Sequence, residues 1–463
     1  MELKENKMGV MPVNKLIITM SLPIIVAMLV QALYNVVDSY FVSLVSKEAL
    51  TAVGQAFSAQ NLMIGMATGT GVGVNALLSR CLGQKDLKRA NKVACNGILI
   101  AAAFYVVILL FGLFGTDLYF QGMLSTAQVD GGLDLNLVRE YGNQYLSICC
   151  IYSFGVFGQI MFERIMQSTG RTIYTMFTQG IGAVINIILD PIFILEEVPF
   201  LHIKGLNMGA AGAAYATVIG QIAAFILGII LNILVNKEIR LGLRNFKPDF
   251  RIIKEICGIG VPSIIMVGIG SVMYYLINII IMSVSSMGAT IFGVYYKLQS
   301  FVFMPIFGLN NGVVPIIGYN YGANKRKRLV RAVVISCIYA CVFMLIGLVF
   351  MQLFPEQMLG LFNLHGSGGD IALRVISLSF VFAGFNIAIG ACFQALGKGS
   401  YSMFVSIARQ LVVLVPVAWA FSLMGNVNLI WWAFPIAELA STFASIILYL
   451  LIYKKIISKI PEK

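Results

Sequence analysis

The chain repeats itself, and what it repeats is apolar. Residues 23–94 match residues 262–333 without a gap at an offset of 239. Pro23 pairs with Pro262, Gly54 with Gly293 and Gln60 with Gln299. Gly69, Gly73 and Gly83 pair with Gly308, Gly312 and Gly322, and Arg89 with Arg328. A later stretch matches at an offset of 227, pairing Gln167 with Gln394, Gly170 with Gly397, Tyr174 with Tyr401 and Met176-Phe177 with Met403-Phe404. Chance similarity between glycine-rich apolar helices does not hold one register over some seventy residues. Two related apolar halves are a common build of secondary transporters, in which a path between the halves opens to one side and then to the other.

Composition sets the solvent. Hydrophobic residues make up 59% of the 463 and charged ones 11%, with mean hydropathy +0.89. A soluble domain carries about 25% charged residues. Twelve apolar runs, each about the roughly 20 residues that span a bilayer as a helix, fall at 15–42, 50–80, 92–115, 139–163, 172–195, 208–236, 254–284, 288–318, 329–353, 371–396, 401–424 and 429–453. Strictly alternating ten-residue segments are absent, which argues against a membrane β-barrel. The expectation is an all-α membrane protein with twelve transmembrane helices in two six-helix parallel pseudo-repeats. The eight cysteines lie in or at the ends of apolar runs, where a small polarizable side chain packs well, and His202 and His365 sit alone in loops. No metal set, disulfide framework or cleaved signal is read, and no nucleophile–base constellation suggests an enzyme.

The basic residues set the orientation. Lysines and arginines cluster in every second loop and at both ends: Lys4, Lys7 and Lys15; Arg80 to Lys92; Arg164 and Arg171; Lys237, Arg240, Arg244, Lys247, Arg251 and Lys254; Lys325 to Arg331; Lys398; and Lys454 to Lys463. These hold 26 of the 32 basic residues, against Lys47, Arg139, Lys204 and Arg374 in the opposite loops. The positive-inside rule places both termini in the cytoplasm of a multi-pass cell-membrane protein. Clusters this short and this tethered to the membrane do not suit nucleic acid, despite a net charge of +12. The stretch 237–253 is taken as a cytoplasmic linker between halves at 1–236 and 254–463. Trp431 and Trp432 are expected in an interfacial aromatic belt.

An ionisable residue in a spanning helix costs at least about 2.5–3.5 kcal/mol on insertion scales, so each is a functional candidate. Asp38 lies 23 residues past Lys15 and Asp190 lies 19 past Arg171, which at 1.5 Å per residue is about 35 and 28 Å along their helices. Two carboxylates at similar depth in one half can share a polar cavity. Gln31, Tyr34 and Asn35 share a helical face with Asp38, Asn186 lies one turn before Asp190, and Thr217 reaches a comparable depth from the next span. Carboxylate, amide and hydroxyl oxygens together suit a proton or Na⁺. The plainer alternative is that each Asp merely hydrogen-bonds a neighbouring helix. At the repeat offsets Asp38 corresponds to Ile277 and Asp190 to Val417, so ion handling is expected in the first half and a mainly apolar second half. Gln31, Tyr34 and Asn35, and in the second half Tyr274, Tyr275, Asn278 and Lys297, are candidates for a substrate cavity. Lys297 is read as either pairing with a carboxylate or facing that cavity. Arg409 and Glu438 are read as a structural ion pair, and Glu163 as a gate or a solvated helix end. The runs GMATGTGVGVN and MPIFGLNNGVVP sit at the same place in both halves and permit close approach and bending. They are not phosphate loops, since no Lys-Ser/Thr follows.

These residues resemble a known family. LPIIVAMLVQALYNVVDSYFVSLV, FERIMQSTGRT with INIILDPIFI, and the loops SRCLGQKDLKRA and GYNYGANKRKR are similar to the corresponding segments of the multidrug and toxic compound extrusion (MATE) family, over essentially the whole chain. The resemblance implies two six-helix lobes arranged as a V, acting by alternating access. It implies export of amphipathic, cationic small molecules driven by inward flow of H⁺ or Na⁺, with no other cofactor. Relatives with a first-half site couple through an Asp matching Asp38 and an Asn-x-x-x-Asp matching Asn186 and Asp190, with a Thr matching Thr217. Na⁺, if it is the ion, is then expected at Asp38, Asn186 and Asp190. Relatives with a second-half site carry acids where this chain has Tyr274, Tyr275 and Asn278, and Asn386. The alternative within the wider superfamily is a lipid or lipid-linked sugar flippase, which calls for a more basic cavity. The chain is expected to act as a monomer in the lipid bilayer.

The orientation is testable. In a cysteine-free background, a cysteine at Lys247 is expected to resist an impermeant maleimide in intact cells and to label after permeabilisation. Labelling in intact cells would place the linker outside.

Overall fold

The computed structural model describes residues 6–125, 134–198, 204–242, 247–362, 364 and 366–461. Lys4, His202, Arg244, His365 and Lys463, named above, lie outside the described residues. A chain in hydrocarbon must satisfy its backbone groups internally, and helix does so within one segment. In the first half, α1 (Lys7–Val10) precedes α2 (Val13–Ser43), α3 (Lys47–Gly83), α4 (Leu87–Phe114), α5 (Thr116–Ser125), α6 (Leu135–Ile151), α7 (Phe154–Ser168), α8 (Thr172–Ile194) and α9 (Gly209–Val235). The second half runs α10 (Phe250–Met282), α11 (Ser286–Gly322), α12 (Arg326–Leu353), α13 (Pro355–Gly360), α14 (Gly369–Ser377), α15 (Phe380–Ala395) and α16 (Gly399–Ile407). It continues with a π-helical segment (Ala408–Leu414), α17 (Val415–Ser422), α18 (Val427–Ile430) and α19 (Ala433–Lys455), and a short 3-10 helix (Ile457–Lys459) follows. Among the described residues ten helices are long and apolar enough to cross a bilayer, and two bent pairs bring the number to twelve when each is one span.

The repeat register is visible residue by residue. α3 and α11 begin and end 239 positions apart, and so do α4 and α12. Ser46 and Ser285, also 239 apart, each cap the following helix by accepting a 3.0 Å bond, from the Ala49 and Gly288 amides. Such a cap stabilises by about 1 kcal/mol. Lys85 and Asn324 both turn the chain through the left-handed region (φ 60° and 56°), as do Gly170 and Gly397 (82° and 77°) at the second offset.

The runs expected as single spans at 139–163 and 371–396 are each broken, by 45° between α6 and α7 and by 43° between α14 and α15. Both breaks are possible because side chains take up the freed carbonyls. The Tyr105 hydroxyl donates to the Ile151 carbonyl at 3.2 Å, and the Gln352 amide to the Arg374 carbonyl at 2.8 Å. Trp431 is not in an aromatic belt. It is 1% exposed and stacks on Phe292 at 6.4 Å, whereas Trp432 is exposed. The helix after the linker starts at Phe250, inside the stretch 237–253, because the Asp249 carboxylate caps the Arg251 and Ile252 amides.

The halves meet through backbone. α3 packs along α10, α11 along α2, and α3 crosses α11. A Cβ on Gly73 would lie 2.5 Å from the Ile256 carbonyl oxygen, and its repeat mate Gly312 lies equally close to Ser21. At the basic ends of α3 and α11 the contact is reciprocal: a Cβ on Gly83 would strike the Tyr319 carbonyl, and one on Gly322 the Arg80 carbonyl. Arg89 and Arg328 repeat the pattern on the basic face. Arg89 pairs with Glu255 across the halves at 2.7 Å, and Arg328 donates to the Met11 carbonyl at 2.6 Å. The Arg89 pair is largely solvated, so its worth is about 0–1 kcal/mol. The glycines carry the contact.

Gly73→Val should therefore lower the melting temperature of the purified protein, since overpacking costs about 1–3 kcal/mol. Gly54→Ala, where a Cβ meets nothing within 4 Å, should leave it unchanged. Equal effects of the two would show that the close contact does not hold the halves.

Candidate functional site

Asp38 comes from α2, Asn186 and Asp190 from α8, and Thr217 from α9; α8 packs against both other helices. All four side chains are buried, with Asp190 0% and Asn186 2% exposed. Asn186 joins the group: its Nδ2 donates to Asp190 Oδ1 at 3.2 Å and to Thr217 Oγ1 at 3.3 Å. The i, i+4 spacing of Asn186 and Asp190 puts both on one face. Asp38 and Asp190 are near enough to interact electrostatically. Three acceptor oxygens of this group have no hydrogen-bond partner: Asp38 Oδ1, Asn186 Oδ1 and Asp190 Oδ2. A buried polar atom left unpaired costs about 1–3 kcal/mol, more if charged. Oxygens of carboxylate and amide are hard donors, so this set fits a proton or Na⁺. Groups of three or more His, Cys, Asp and Glu with metal-site geometry do not occur among the described residues.

Tyr34 lies close to Gln31, Asp38 and Asp190, while Asn35 is exposed. The other wall contains residues that sequence reasoning did not assign to the site. Gln60 donates to the Tyr145 hydroxyl at 3.3 Å and to Cys149 Sγ at 3.3 Å, and Tyr145 lies near Asp38. Their signal is weak in sequence, because Tyr145 and Cys149 sit in the helix before the α6–α7 break. Glu163 is 3% exposed, so it is not a solvated helix end. It accepts from Gln159, Thr178 and Gln179 at 3.0, 3.0 and 2.8 Å.

The second half holds a cavity of about 540 Å³, within the usual range for ligand pockets. Its wall carries Tyr296, Phe303, Phe434 and Met266, and Met28 and Asn61 reach it from the first half. Arg409 and Glu438 also line it, paired at 2.7 Å. The expected pair is thus present, and it faces a cavity whose wall is otherwise rich in aromatic and aliphatic side chains. Gln31, Tyr34, Asn35, Tyr274, Tyr275, Asn278 and Lys297 are not in this wall. Tyr274 packs beneath it against Phe292 and Tyr296 at 5.3 and 4.5 Å, and Asn278 bonds back to the Tyr274 carbonyl. Tyr275 is exposed. Lys297 is exposed with its Nζ 5.9 Å from the Phe362 ring, and among the described residues it has no salt bridge.

Comparison with known proteins agrees with this architecture. The family model described as MatE matches twice, at residues 23–192 and 262–420. The multidrug export protein MepA of Staphylococcus aureus (strain MRSA252) is 25% identical over 448 residues, covering 95% of this chain and 94% of the relative. MepA of Staphylococcus haemolyticus (strain JCSC1435) is 25% identical over 434 residues, covering 91% and 90%. Among solved structures, an outward-facing multidrug resistance MATE family transporter of the MOP superfamily superposes with TM-score 0.89 at 24% identity, covering 99% of both chains. A MOP superfamily transporter from Pyrococcus furiosus Vc1 (DSM3638), described as having a binding pocket of reverse polarity that suggests a different function, gives TM-score 0.88 at 25% identity, covering 98% and 99%.

A cation on the three unpartnered oxygens should stabilise the folded protein by mass action, about 2.7 kcal/mol at a hundredfold excess over Kd. Raising Na⁺ at constant ionic strength, or raising H⁺, is expected to increase the melting temperature of the wild type more than that of Asp38→Asn/Asp190→Asn. Equal responses to both ions would show that the cluster holds neither.

Proposed function

The chain belongs to the MatE family, and from that premise we propose that this multi-pass membrane transporter is a cation-coupled antiporter that exports amphipathic organic compounds, lipophilic cations among them. The observation that carries the coupling is the set of unpartnered buried oxygens on Asp38, Asn186 and Asp190. With the cluster empty, two acids at one depth leave charge and lone pairs uncompensated. With H⁺ or Na⁺ bound, that cost is relieved. A ligand shifts a two-state equilibrium only by its differential affinity for the two states. A site this costly when empty supplies such a difference, provided one state of the halves opens the cluster and the other closes it. One pH unit across the membrane is worth about 1.4 kcal/mol per proton, enough for a tenfold concentration gradient of exported compound in one-for-one exchange.

In this reading the basic face is cytoplasmic, and the contact of α3 with α11 at Gly83 and Gly322 closes that side. Asp38 and Asp190 take the cation, Asn186 positions Asp190, and Thr217 holds Asn186. For the halves to part there, the van der Waals contact at the glycines, the solvated Arg89–Glu255 pair and the hydrogen bonds of Asn320, Lys325 and Arg328 to the Met8, Gly9 and Met11 carbonyls have to be released. The flippase alternative calls for a basic cavity. Here, among the described residues, the one arginine in the cavity wall, Arg409, is offset by Glu438.

The test is export from loaded vesicles. A fluorescent lipophilic cation should leave against its gradient under an inward pH gradient alone or a Na⁺ gradient alone. Asp38→Asn and Asp190→Asn should each reduce that rate at least tenfold while inserting normally, because the substitution keeps shape but removes the titratable charge. Full-rate export by both single variants would move the coupling site elsewhere.

A further inference from the structure

The repeat sets up a charge balance that one of its two copies does not keep. At the offset of 239, Lys88, Arg89 and Lys92 at the start of α4 become Lys327, Arg328 and Arg331 at the start of α12. In the first copy the helix alongside, α10, supplies acids. Arg89 donates to both carboxylate oxygens of Glu255, at 2.8 and 2.7 Å, and Lys92 Nζ lies 3.9 Å from Asp249. Carried back by the same offset, Glu255 becomes Leu16 and Asp249 becomes Val10. From Lys7 onward the next acid in the chain is Asp38, toward the far end of α2. The three basic residues are thus kept on α12, while the helix alongside it, α2, does not carry their acids.

At that place, between the two halves, lies a cavity of about 220 Å³ lined by Pro12, Val13, Asn14, Lys327, Arg328 and Arg331. Arg328 fixes it: Nη2 donates to the Met11 carbonyl at 2.6 Å and to the Met8 carbonyl at 3.2 Å, which ties the start of α12 to the chain just before α2. Asn14, Lys327 and Arg331 are exposed around it. Among the described residues Arg331 makes no hydrogen bond or ion pair, so its planar fork of donors can meet an oxyanion. An apolar track continues from the cavity. Ile18 and Leu22 follow Asn14 along α2, Val334 and Ile338 follow Arg331 along α12, and all four are exposed. Residues three and four apart share a helix face, and α2 and α12 touch. Two spanning helices therefore present a basic pocket at one end and apolar ridges that run from it into the membrane.

A free phosphate would use the pocket alone, whereas the phosphate of a lipid uses the pocket and the ridges together. A zwitterionic headgroup brings a cation that the three basic side chains oppose. We propose that this pocket binds the headgroup phosphate of an anionic phospholipid in the leaflet on the basic face, with the acyl chains along α2 and α12. The lipid supplies the counter-charge that Glu255 and Asp249 supply in the first copy. The site shares no residue with the Asp38–Asp190 cluster or the 540 Å³ cavity, so the proposal holds or fails apart from the export reading.

Native mass spectrometry of the purified full chain, titrated with palmitoyl-oleoyl phosphatidylglycerol or with phosphatidylcholine of the same chains, reads the affinity of the first lipid bound. The wild type should bind the first phosphatidylglycerol about tenfold tighter than the first phosphatidylcholine, and Lys327→Gln/Arg331→Gln should lose that preference, as the removal of two juxtamembrane basic residues predicts. Lys88→Gln/Lys92→Gln removes the same charge at the equivalent place in the first copy, where α10 carries acids, and should keep the preference. Asn14→Asp tests the site with every basic residue in place, since a carboxylate within the pocket should also cut the preference. Glycerol 3-phosphate, which carries the phosphate without chains, should not bind at the same concentrations. A wild type that does not prefer phosphatidylglycerol would overturn the proposal. So would equal effects of the two double variants, or a preference unchanged in Asn14→Asp. Glycerol 3-phosphate bound as tightly as the lipid would overturn it too, by showing a site for free phosphate.

Discussion

The contact on which the rest of the structure depends is backbone against backbone. Two copies of one helical unit lie against each other along α2, α3, α10 and α11, and glycine at Gly73, Gly83, Gly312 and Gly322 is what lets them approach. In a bilayer there is no hydrophobic gain from bringing apolar helices together, so such contacts rest on close packing. At 37 residues each, α3 and α11 are about 55 Å long, well beyond the roughly 30 Å of hydrocarbon. Their basic ends project past the membrane core and cross there, where Arg89 and Arg328 add reciprocal ties. The contact thus combines close glycine packing, a solvated Arg89–Glu255 pair and part-buried hydrogen bonds from Arg328 to backbone carbonyls.

The symmetric scaffold carries asymmetric chemistry. The first half spends its buried polar residues on Asp38, Asn186, Asp190 and Thr217, where acceptors outnumber donors. The second half holds a balanced pair, with Arg409 and Glu438 together on the wall of a cavity of about 540 Å³. An acceptor-rich cluster has its greatest affinity for a small cation. A balanced aromatic cavity has none for a bare ion and suits an organic molecule. In the proposed reading, separating the two kinds of site between halves that share one contact would give each ligand a hold on the same movement of the halves.

Much of this was legible in the sequence, for identifiable reasons. Hydrophobicity placed the spans, and the gapless offset of 239 foretold that α3 and α11, or Ser46 and Ser285, would be structural equivalents. Depth counted along α2 and α8 put Asp38 and Asp190 together, because straight helices make sequence distance a ruler. What failed was wherever the helix stops being regular. The breaks at Ile151–Phe154 and Ser377–Phe380 depend on Tyr105 and Gln352, which are remote in sequence from the carbonyls they satisfy. Arg409 lies inside the π segment Ala408–Leu414, where the regular helical register does not hold, so the sequence pattern did not show that it faces a cavity. Trp431 was misplaced because its partner Phe292 lies far away in the chain.

The central claim is that the carboxylates of Asp38 and Asp190 themselves take the driving cation. Infrared difference spectroscopy on the purified protein, following the carboxyl C=O stretch through a pH titration with and without Na⁺, examines those groups directly. The account predicts a carboxyl signal in the wild type that changes with H⁺ or Na⁺ and is missing from Asp38→Asn/Asp190→Asn. Identical difference spectra from the two proteins would contradict it.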